Sequence, residues 1–560
     1  MSATSERVMD RTAARWAPRL VLLAGFLLGT GWFVYFYALG LTTAHYDAKA
    51  HLLVARRLLD STSPGYLQLG VHWLPLLHIL YLPLVLFEGQ YRTGFFPSLT
   101  SVCAFALSGW LLYRIALRCT GSWRSGVFAS VILLGNANWQ YLQACPLTEP
   151  LFMFLNLAAL ERFLAWRDNP GAGLPWAAAI LASLASLCRY EGWLFVPGVL
   201  MVLAFDWRTG RISRQTALRA GLVIAGVFAV PVASHFGYVY IRAGETFFHR
   251  VARGYPTPYV TYRRPFLSVV YHLAELVQVS ALVPLMMGVG GVIFSLMRRE
   301  RLVRWLPLFL LWLPSVLNVA ALYWGLIYRV RYSCLVVPAV AAFASLLCLS
   351  QKALQRAFTA TVLVVSLLPA LPWFLPHVWR FHMFSAAPGV VILPLLAVLL
   401  FLIARSRSDW IRESLVLCVA GMQLPVLYAE YRPILVETRE HDYIESERRT
   451  VLNYLRSGYD GRRILVDIGR LAPLMYDSGI PVRKFIYNEG QQKEWVAALQ
   501  HPWQEAGWIV MEKGDELWNL LQVDPRWTDM YALAVQTDSY RLYRLQEAQQ
   551  GGSPPARRFE

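Results

Sequence analysis

Charged side chains are scarce in this chain. Asp, Glu, Lys and Arg make up 16% of its 560 residues, against about 25% in soluble domains. Hydrophobic residues make up 56%, and the mean hydropathy is +0.41. Most of such a chain cannot face water, which excludes an ordinary soluble enzyme and favours a polytopic membrane protein.

Metal and nucleotide motifs are lacking as well. The seven cysteines are scattered without a CxxC pair, and none follows Cys418, so neither a zinc site nor a disulfide framework is predicted. No GxGxxG or GxxxxGKS/T loop occurs after residue 430, which leaves nucleotide binding there unsupported. The net charge of +17 comes from cations in short segments between apolar runs. This distribution is typical of membrane orientation signals, and we expect no nucleic-acid partner.

Apolar runs long enough to cross a bilayer fill most of the first 430 residues. About thirteen spans are predicted, near residues 20–41, 94–113, 126–143, 147–165, 174–188, 192–205, 217–240, 271–296, 305–323, 333–350, 358–378, 388–404 and 411–430. The first run is too long for a signal-peptide core, and it reads as an uncleaved helix. The fold class expected is an α-helical polytopic membrane protein.

The loops between these spans differ in charge from one side to the other. Alternate loops are rich in cations: Arg7, Arg11, Arg15, Arg19, Arg114, Arg118, Arg124, Arg208, Arg211, Arg214, Arg219, Arg298, Arg299, Arg301, Arg304, Lys352, Arg356, Arg405 and Arg407. Cationic loops stay cytoplasmic. The predicted organisation is a cytoplasmic N-terminus at 1–19, a membrane domain at 20–430 with an external loop at 42–93, and an extracytoplasmic end.

The composition changes after residue 430. Of the 35 acidic residues, 19 lie from Glu437 onward. Short apolar runs near 463–468, 484–487, 507–511 and 540–543 alternate with helical patterns at 494–499 and 516–521. This predicts a small extracytoplasmic α/β domain over residues 431–546. The Gly, Ser and Pro-rich segment 547–560 is predicted to be a disordered tail.

Few carboxylates of the membrane half fall at its outer rim. Asp47 follows the first span and precedes a stretch with apolar residues at Leu52, Ala55, Leu58 and Leu59. That spacing predicts an amphipathic helix lying on the membrane surface, with Asp47 at its start. A helix N-cap is the alternative role for this aspartate.

Three further stretches place polar groups at the outer rim. His72 and Trp73 lie in the external loop, and Thr148-Glu149-Pro150 begins the fourth span. Arg189 and Glu191 join the fifth and sixth spans. A bland explanation exists for each: a belt tryptophan, a structural histidine, or a snorkelling Arg–Glu pair. The functional interpretation is a site in which Arg189, with Arg329 and Arg331 of the segment Tyr328–Tyr332, binds a phosphate.

These motifs, in this order, resemble the GT-C glycosyltransferases, in particular the family-39-like protein mannosyltransferase and aminoarabinose-transferase-like branch. The residues concerned are Tyr46-Asp47-Ala48, Trp73-Leu74-Pro75, Thr148-Glu149-Pro150, Arg189-Tyr190-Glu191-Gly192 and Arg331-Tyr332 with Pro338. The resemblance covers about residues 18–430. Many members of the family carry two adjacent carboxylates in the first external loop, whereas here Ala48 follows Asp47. No metal or other cofactor is therefore predicted.

The resemblance implies a hexosyl or pentosyl transferase that takes its sugar from a polyprenyl-phosphate donor. The acceptor would be a hydroxyl of a glycan, lipid or protein on the outer face of a bacterial inner membrane. Asp47 would be the general base, with inversion at the sugar, and Glu149 the second choice. The substrate-binding residues would be His51, His72, Trp73, Arg189, Glu191, Tyr328, Arg329 and Arg331.

Two rival functions remain at this point. A lipid or oligosaccharide transporter or flippase predicts ionisable groups at mid-bilayer and a repeat between halves, and the sequence shows neither clearly. An oligosaccharide polymerase or ligase would use the same donor chemistry. Product formation by purified protein in detergent separates a transferase from a transporter, because vectorial transport cannot occur there.

The loop charges give a direct test of topology. A reporter fused at residue 10 is expected to report the cytoplasm, and one fused at residue 555 the opposite side, because cationic loops resist translocation. Alkaline phosphatase and green fluorescent protein fusions measure this. Fusions that report the same side would contradict the predicted architecture.

Overall fold

The structure is a computed structural model, and it establishes a helical membrane part and a small sheet domain. It describes residues 3–252, 261–280, 282–326, 328–350, 352–357, 360, 434–435, 438 and 442–546. The predicted spans at 388–404 and 411–430, the predicted span at 358–378 apart from residue 360, and the predicted tail at 547–560 lie outside the described residues.

Helices form most of the described membrane part. They are α1 Ala3–Ala38, α2 Tyr46–Arg57, α3 Pro75–Tyr81, α4 Glu88–Thr93, α5 Phe95–Thr120, α6 Trp123–Leu134, α7 Ala137–Leu142, α8 Thr148–Asp168, α9 Trp176–Ser186, α10 Phe195–Arg208, α11 Arg214–Ala243, α12 Phe247–Ala252, α13 Pro265–Ser280, α14 Leu282–Met297, α15 Arg299–Trp305, α16 Leu313–Trp324, α17 Val330–Ser333 and α18 Val337–Leu346. Short 3₁₀ segments extend several of them, among them Tyr190–Leu194 before α10 and Leu306–Trp312 between α15 and α16.

Five helical stretches of the described residues are long and apolar enough to cross a bilayer. They are Thr12–Ala38, Phe95–Thr120, Arg214–Ala243, Glu300–Trp324 and Val330–Leu349, and a sixth is possible if the bent pair α13 and α14 is one span. Multiple apolar spans confirm an integral, multi-pass membrane protein. The predicted count of thirteen stays a prediction.

Two predicted spans are broken in the structure. The run 126–143 is two helices, α6 and α7, because the Asn136 side chain accepts the N–H groups of Asn138 and Trp139 and so starts a new helix. The run 271–296 is also two helices, α13 and α14. Pro284 lies in the first turn of α14, where its missing N–H costs no intrahelical bond.

The helix α8 connects two charged ends of the bundle. Its 21 residues rise about 30 Å, the thickness of a bilayer core. At its C-terminal end, the Arg167 guanidinium holds Asp206 with two hydrogen bonds of 2.5 Å, and Arg118 pairs with Asp168 at 2.6 Å. The cationic loops after α5 and α10 therefore meet at one end, as the loop pattern predicts. Glu149 lies at the opposite end.

The C-terminal domain is a mixed five-stranded sheet packed with helices. The strands are β1 Ile464–Val466, β2 Phe485–Tyr487, β3 Trp508–Glu512, β4 Tyr531–Gln536 and β5 Tyr540–Leu545, and the helices are α19 Asp442–Gly458, α20 Ile468–Ser478, α21 Gln492–Gln500, α22 Pro502–Glu505 and α23 Glu516–Val523. The strand order is β2-β1-β3-β5-β4. Strand β1 pairs parallel to β2 and β3, while β5 pairs antiparallel to β3 and β4.

The α/β character of this domain is confirmed, and one strand was not predicted. Strand β4 forms a hairpin with β5, and its register shifts between Leu533 and Val535. Most of its residues are exposed or half-buried. Strand β4 lies at the edge of the sheet, next to β5, and its apolar run Tyr531–Val535 was not recognised as a strand in the sequence.

The helix α2 differs from the predicted surface helix. It begins at Tyr46, one residue before Asp47, and nine of its twelve residues are buried. Ala50 and Leu53 pack in the core of the C-terminal domain, while Leu52 and Ala55 pack against Leu77 of the external loop. Protein therefore covers both faces of the predicted helix, and its position at the membrane surface stays a prediction.

Candidate functional site

The candidate site begins at the N-terminus of α2. His45 is the N-cap residue, and its Nδ1 accepts the backbone N–H of Asp47 at 3.0 Å. Asp47 lies in the first helical turn, where the positive end of the helix dipole favours a carboxylate. The N-cap alternative for Asp47 is therefore wrong, since His45 has that role.

Arg331 of α17 connects this helix end to α8. Its Nε donates to Glu149 Oε1 at 2.6 Å, and its Nη2 donates to Asp47 Oδ2. Its Nη1 lies 2.7 Å from Nε2 of His45. The Arg331 side chain is 3% exposed, so it faces neither lipid nor bulk water. One buried cation thus joins three segments that are far apart in the sequence.

Glu149 is shared between two arginines. Its Oε1 accepts from Arg331 and also from Nη1 of Arg189, at 2.8 Å, while Arg189 Nη1 donates to Thr148 Oγ1 at 2.7 Å. The other edge of Arg189 makes two hydrogen bonds to Glu191, at 2.6 and 3.1 Å. Asp47, Arg331, Glu149, Arg189 and Glu191 therefore form one chain of alternating charge.

An aromatic ring supports both guanidiniums. The Cζ atoms of Arg189 and Arg331 lie 4.7 and 5.2 Å from the centre of the Tyr332 ring. At these distances the ring quadrupole attracts a desolvated cation. Tyr332 and His45 are site residues that the sequence interpretation missed. The sequence feature that could have identified them is their closeness to predicted site residues, since Tyr332 follows Arg331 and His45 lies two residues before Asp47.

The pKa of Asp47 is set by two opposing effects. Burial by itself raises the pKa of this carboxyl, but the adjacent Arg331 guanidinium outweighs burial and holds the pKa well below its usual range. Burial, aided by Arg331, lowers the pKa of His45 to about 3, so its imidazole is neutral at physiological pH. The resting site therefore holds an ionised Asp47 that is a weak proton acceptor.

His51 lies next to Asp47 along α2, and Trp73 contacts the His51 ring. His51 is one helical turn after Asp47, so both side chains lie on the same face of α2. Its Nδ1 lies 3.0 Å from Nε2 of His78, and its ring centre lies 4.6 Å from that of Trp73. Nδ1 of His78 donates to the Leu74 carbonyl at 3.0 Å, which makes its Nε2 the acceptor from His51. Burial lowers the pKa of His51 to about 4.

The structure also places the predicted binding residues His72, Tyr328 and Arg329. His72 Nδ1 lies 3.2 Å from Oε1 of Glu489, in the C-terminal domain. The Tyr328 hydroxyl donates to Glu275 and contacts Ser333, while the Tyr328 ring centre lies 5.8 Å from that of Tyr332. Arg329, at the N-cap position of α17, is half-buried.

Metal binding has little support in this part of the chain. Among the residues that the structure describes, no group of three His, Cys, Asp or Glu side chains is placed to hold a metal ion. Asp47 and Glu149 are both occupied by Arg331. The absence of a cofactor stays a prediction.

Two comparisons with known proteins bear on this site, and a third, with curated sequences, finds no match. Residues 82–235 match the family model described as dolichyl-phosphate-mannose-protein mannosyltransferase. The matched region contains Glu149, Arg189 and Glu191, while Asp47 and Arg331 lie on either side of it.

The fold is similar to that of a solved glycosyltransferase. The structure of ArnT from Cupriavidus metallidurans bound to undecaprenyl phosphate superposes with a TM-score of 0.57 at 16% identity, over 97% of this chain and 98% of that chain. The apo structure of the same protein gives 0.55 at 15%, over 92% and 98%. At these identities the likeness is one of fold. Together with the family model, it confirms the resemblance to the GT-C glycosyltransferases.

The shared role of Glu149 predicts a stability effect. Glu149→Gln keeps the shape but removes the charge that two buried guanidiniums contact, and hydrogen bonds to charged groups contribute about 1.5–3 kcal/mol each. Thermal unfolding in detergent should therefore show a clearly lower melting temperature for Glu149→Gln than for wild type. Glu88→Gln is the matched control, because Glu88 also bridges two arginines but its side chain is 56% exposed. Equal midpoints for the two variants would contradict the account.

Proposed function

We propose that this membrane protein, which has the GT-C fold, transfers a sugar from a polyprenyl-phosphate donor to an acceptor hydroxyl on the extracytoplasmic face. The observation that carries the proposal is the position of Arg331, buried between two carboxylates at one end of the helical bundle. ArnT, whose solved structure contains undecaprenyl phosphate, shares the fold over nearly the whole chain. A buried guanidinium is suited to bind the phosphate of such a donor, because its planar fork can donate two hydrogen bonds.

The charges of the site govern how a donor phosphate would bind. Three carboxylates, of Asp47, Glu149 and Glu191, face two guanidiniums, of Arg189 and Arg331, so the five groups carry a net charge of −1. An added anion finds no excess positive charge in this group. The phosphate must therefore take N–H donors that a carboxylate now holds. Arg331 Nη2, which donates to the half-buried Asp47, is the donor that we assign to this exchange.

The exchange also provides the base. While Asp47 contacts Arg331, the low pKa of its carboxyl makes it a poor proton acceptor. Once the phosphate takes over the Nη2 donor, Asp47 loses that charged hydrogen bond and its pKa rises. The carboxylate then becomes an effective base when a donor is bound. Donor binding and base activation are thus one event.

The reaction follows from these positions. The acceptor oxygen attacks the anomeric carbon from the side opposite the phosphate, and its proton passes to Asp47. The bond between the anomeric carbon and the phosphate oxygen breaks, so the sugar is transferred with inversion. The polyprenyl phosphate gains one negative charge as it leaves, and Arg331 and Arg189 stabilise that charge.

The apolar surface beside the site suits a lipid tail. A groove of about 440 Å³ lies between α3, α5 and α8, and Leu80, Leu84, Phe96, Leu99, Leu151 and Phe154 are among its lining residues. Leu151 comes two residues after Glu149 in α8. We assign this groove to the first isoprene units of the donor.

A bacterial inner membrane, with the C-terminal domain outside, is the location that fits this donor and the loop charges. A polymerase or ligase acting on lipid-linked oligosaccharides would use the same phosphate chemistry and is the second candidate. Transfer from a monosaccharide donor, but not from an oligosaccharide donor, by purified protein in detergent supports the first. No product from either donor would favour the transporter.

Replacement of the base is expected to abolish transfer. Asp47→Asn keeps the size and a hydrogen-bond acceptor for Arg331 but cannot take the acceptor's proton, so kcat should fall by at least about 10²-fold. The measurement is product formation with a synthetic polyprenyl-phosphate sugar. Asp60→Asn is the control, because Asp60 lies beyond the other end of α2, where it pairs with Arg56 and Arg483. Near-native turnover of Asp47→Asn would move the base assignment to Glu149.

Replacement of the phosphate ligand is expected to weaken donor binding. Arg331→Lys keeps the charge but loses the planar fork, and one lost charged hydrogen bond of about 1.5–3 kcal/mol raises the donor KM at least about tenfold. The control is Arg114→Lys, whose arginine pairs with Glu161 at the other end of the bundle. An unchanged donor KM in Arg331→Lys would refute the phosphate assignment and leave the base assignment standing.

A further inference from the structure

The crevice of the C-terminal sheet where α/β domains usually bind ligands is occupied by the membrane part. In open α/β sheets, ligands bind outside the carboxyl ends of the parallel strands, where the strand order reverses. Here β1 lies between β2 and β3, and the segments after β1 and β2 are residues 467–469 and 488–490. Both segments contact α2 or the external loop that follows it.

The contact after β1 lies next to Asp47. The Tyr46 hydroxyl donates to the Gly469 carbonyl at 2.8 Å, and Tyr46 is the residue before Asp47. Two residues after Asp47, the buried Lys49 Nζ donates to Asp477 Oδ2 at 2.6 Å. Polar contacts from α20 of the C-terminal domain therefore flank Asp47 on both sides along the first turn of α2.

The contacts after β2 hold the rest of the external segment. Arg57, 1% exposed, donates from Nη2 to Glu489 Oε2 at 3.0 Å. Gln68 Nε2 donates to the Gly490 carbonyl at 3.0 Å. Gly490 has a φ of +75°, and a Cβ there would lie 2.9 Å from the Leu67 carbonyl oxygen, so glycine permits this close approach.

Apolar packing joins α2 to the same domain. Ala50 and Leu53 are 3% and 0% exposed, and they belong to the core that contains Val451, Leu471 and Trp508. These two residues occupy one face of α2, while Asp47 and His51 occupy another. The C-terminal domain therefore fixes both the rotation of α2 about its axis and its position along that axis.

We propose that the C-terminal domain is a positioning element for the catalytic carboxylate, in which Tyr46, Lys49 and Asp477 hold Asp47 in register with Arg331. The inference rests on the proposed transferase function. In this proposal Arg331 binds the donor phosphate. The C-terminal domain determines where the base, Asp47, lies relative to Arg331. Loosening the domain contact lowers kcat and does not raise the donor KM, because Asp47 competes with the donor phosphate for Arg331.

The test uses the full-length protein and two small changes. Tyr46→Phe removes one hydroxyl and keeps the ring, and Asp477→Asn removes the charge that pairs with Lys49. Each is expected to lower kcat at least fivefold, with a donor KM no higher than that of wild type. Amide exchange of α2 should become faster in both variants. Arg483→Ala is the matched control, because its 60% exposed side chain contacts Asp60 beyond the far end of α2. It is expected to keep wild-type kcat.

The outcomes separate this proposal from the function on which it rests. If wild type transfers sugar and Asp47→Asn does not, while Tyr46→Phe and Asp477→Asn keep wild-type kcat, the positioning role is refuted and the function stands. If these two variants have a lower melting temperature but an unchanged kcat per folded molecule, the positioning role is also refuted, because the contacts then contribute only to stability. If wild type transfers no sugar, the proposed function itself fails, and the positioning role fails with it. Faster amide exchange of α2 in the two variants would then show only that the C-terminal domain stabilises this helix.

Discussion

A guanidinium buried at the end of a helical bundle must be neutralised where it lies, and Arg331 meets that requirement with two carboxylates. Asp47 comes from the start of α2, Glu149 from the first turn of α8, and Arg331 from α17. Because breaking a buried pair is costly, these three segments are constrained to one another. The remaining features of the site, including the second arginine and the ring of Tyr332, are built around that constraint.

The same pairing explains why a site with two arginines does not bind an anion simply by excess positive charge. With three carboxylates against two guanidiniums, an incoming phosphate must replace an existing partner. Asp47 is the replaceable one, because its side chain is 15% exposed whereas that of Glu149 is fully buried. In the proposed function this replacement frees a carboxylate beside the phosphate at the moment when a base is needed. In the further inference, the C-terminal domain positions that carboxylate through its contacts with Tyr46 and Lys49 of α2.

Much of this arrangement follows from the sequence, and the remainder depends on contacts between distant segments. Hydropathy and loop charge predicted the helical membrane part, and the family motifs pointed to Asp47, Glu149, Arg189 and Arg331, which the fold brings together. The breaks before α7 and α14 could not be read from hydropathy, because capping and proline geometry act locally inside apolar runs. The burial of α2 was missed because the residues that cover one of its faces lie about 400 positions later. His45 and Tyr332 were missed as site residues because their roles depend on contacts with the distant Arg331 and Arg189.

A structure of the protein in lipid nanodiscs with polyprenyl phosphate tests the central claim most directly. The account predicts phosphate oxygens within hydrogen-bond distance of Arg331, and a broken contact between Arg331 Nη2 and Asp47, while Arg331 Nε keeps Glu149. A bound phosphate far from Arg331, or an Arg331–Asp47 pair that persists beside the bound phosphate, would contradict it.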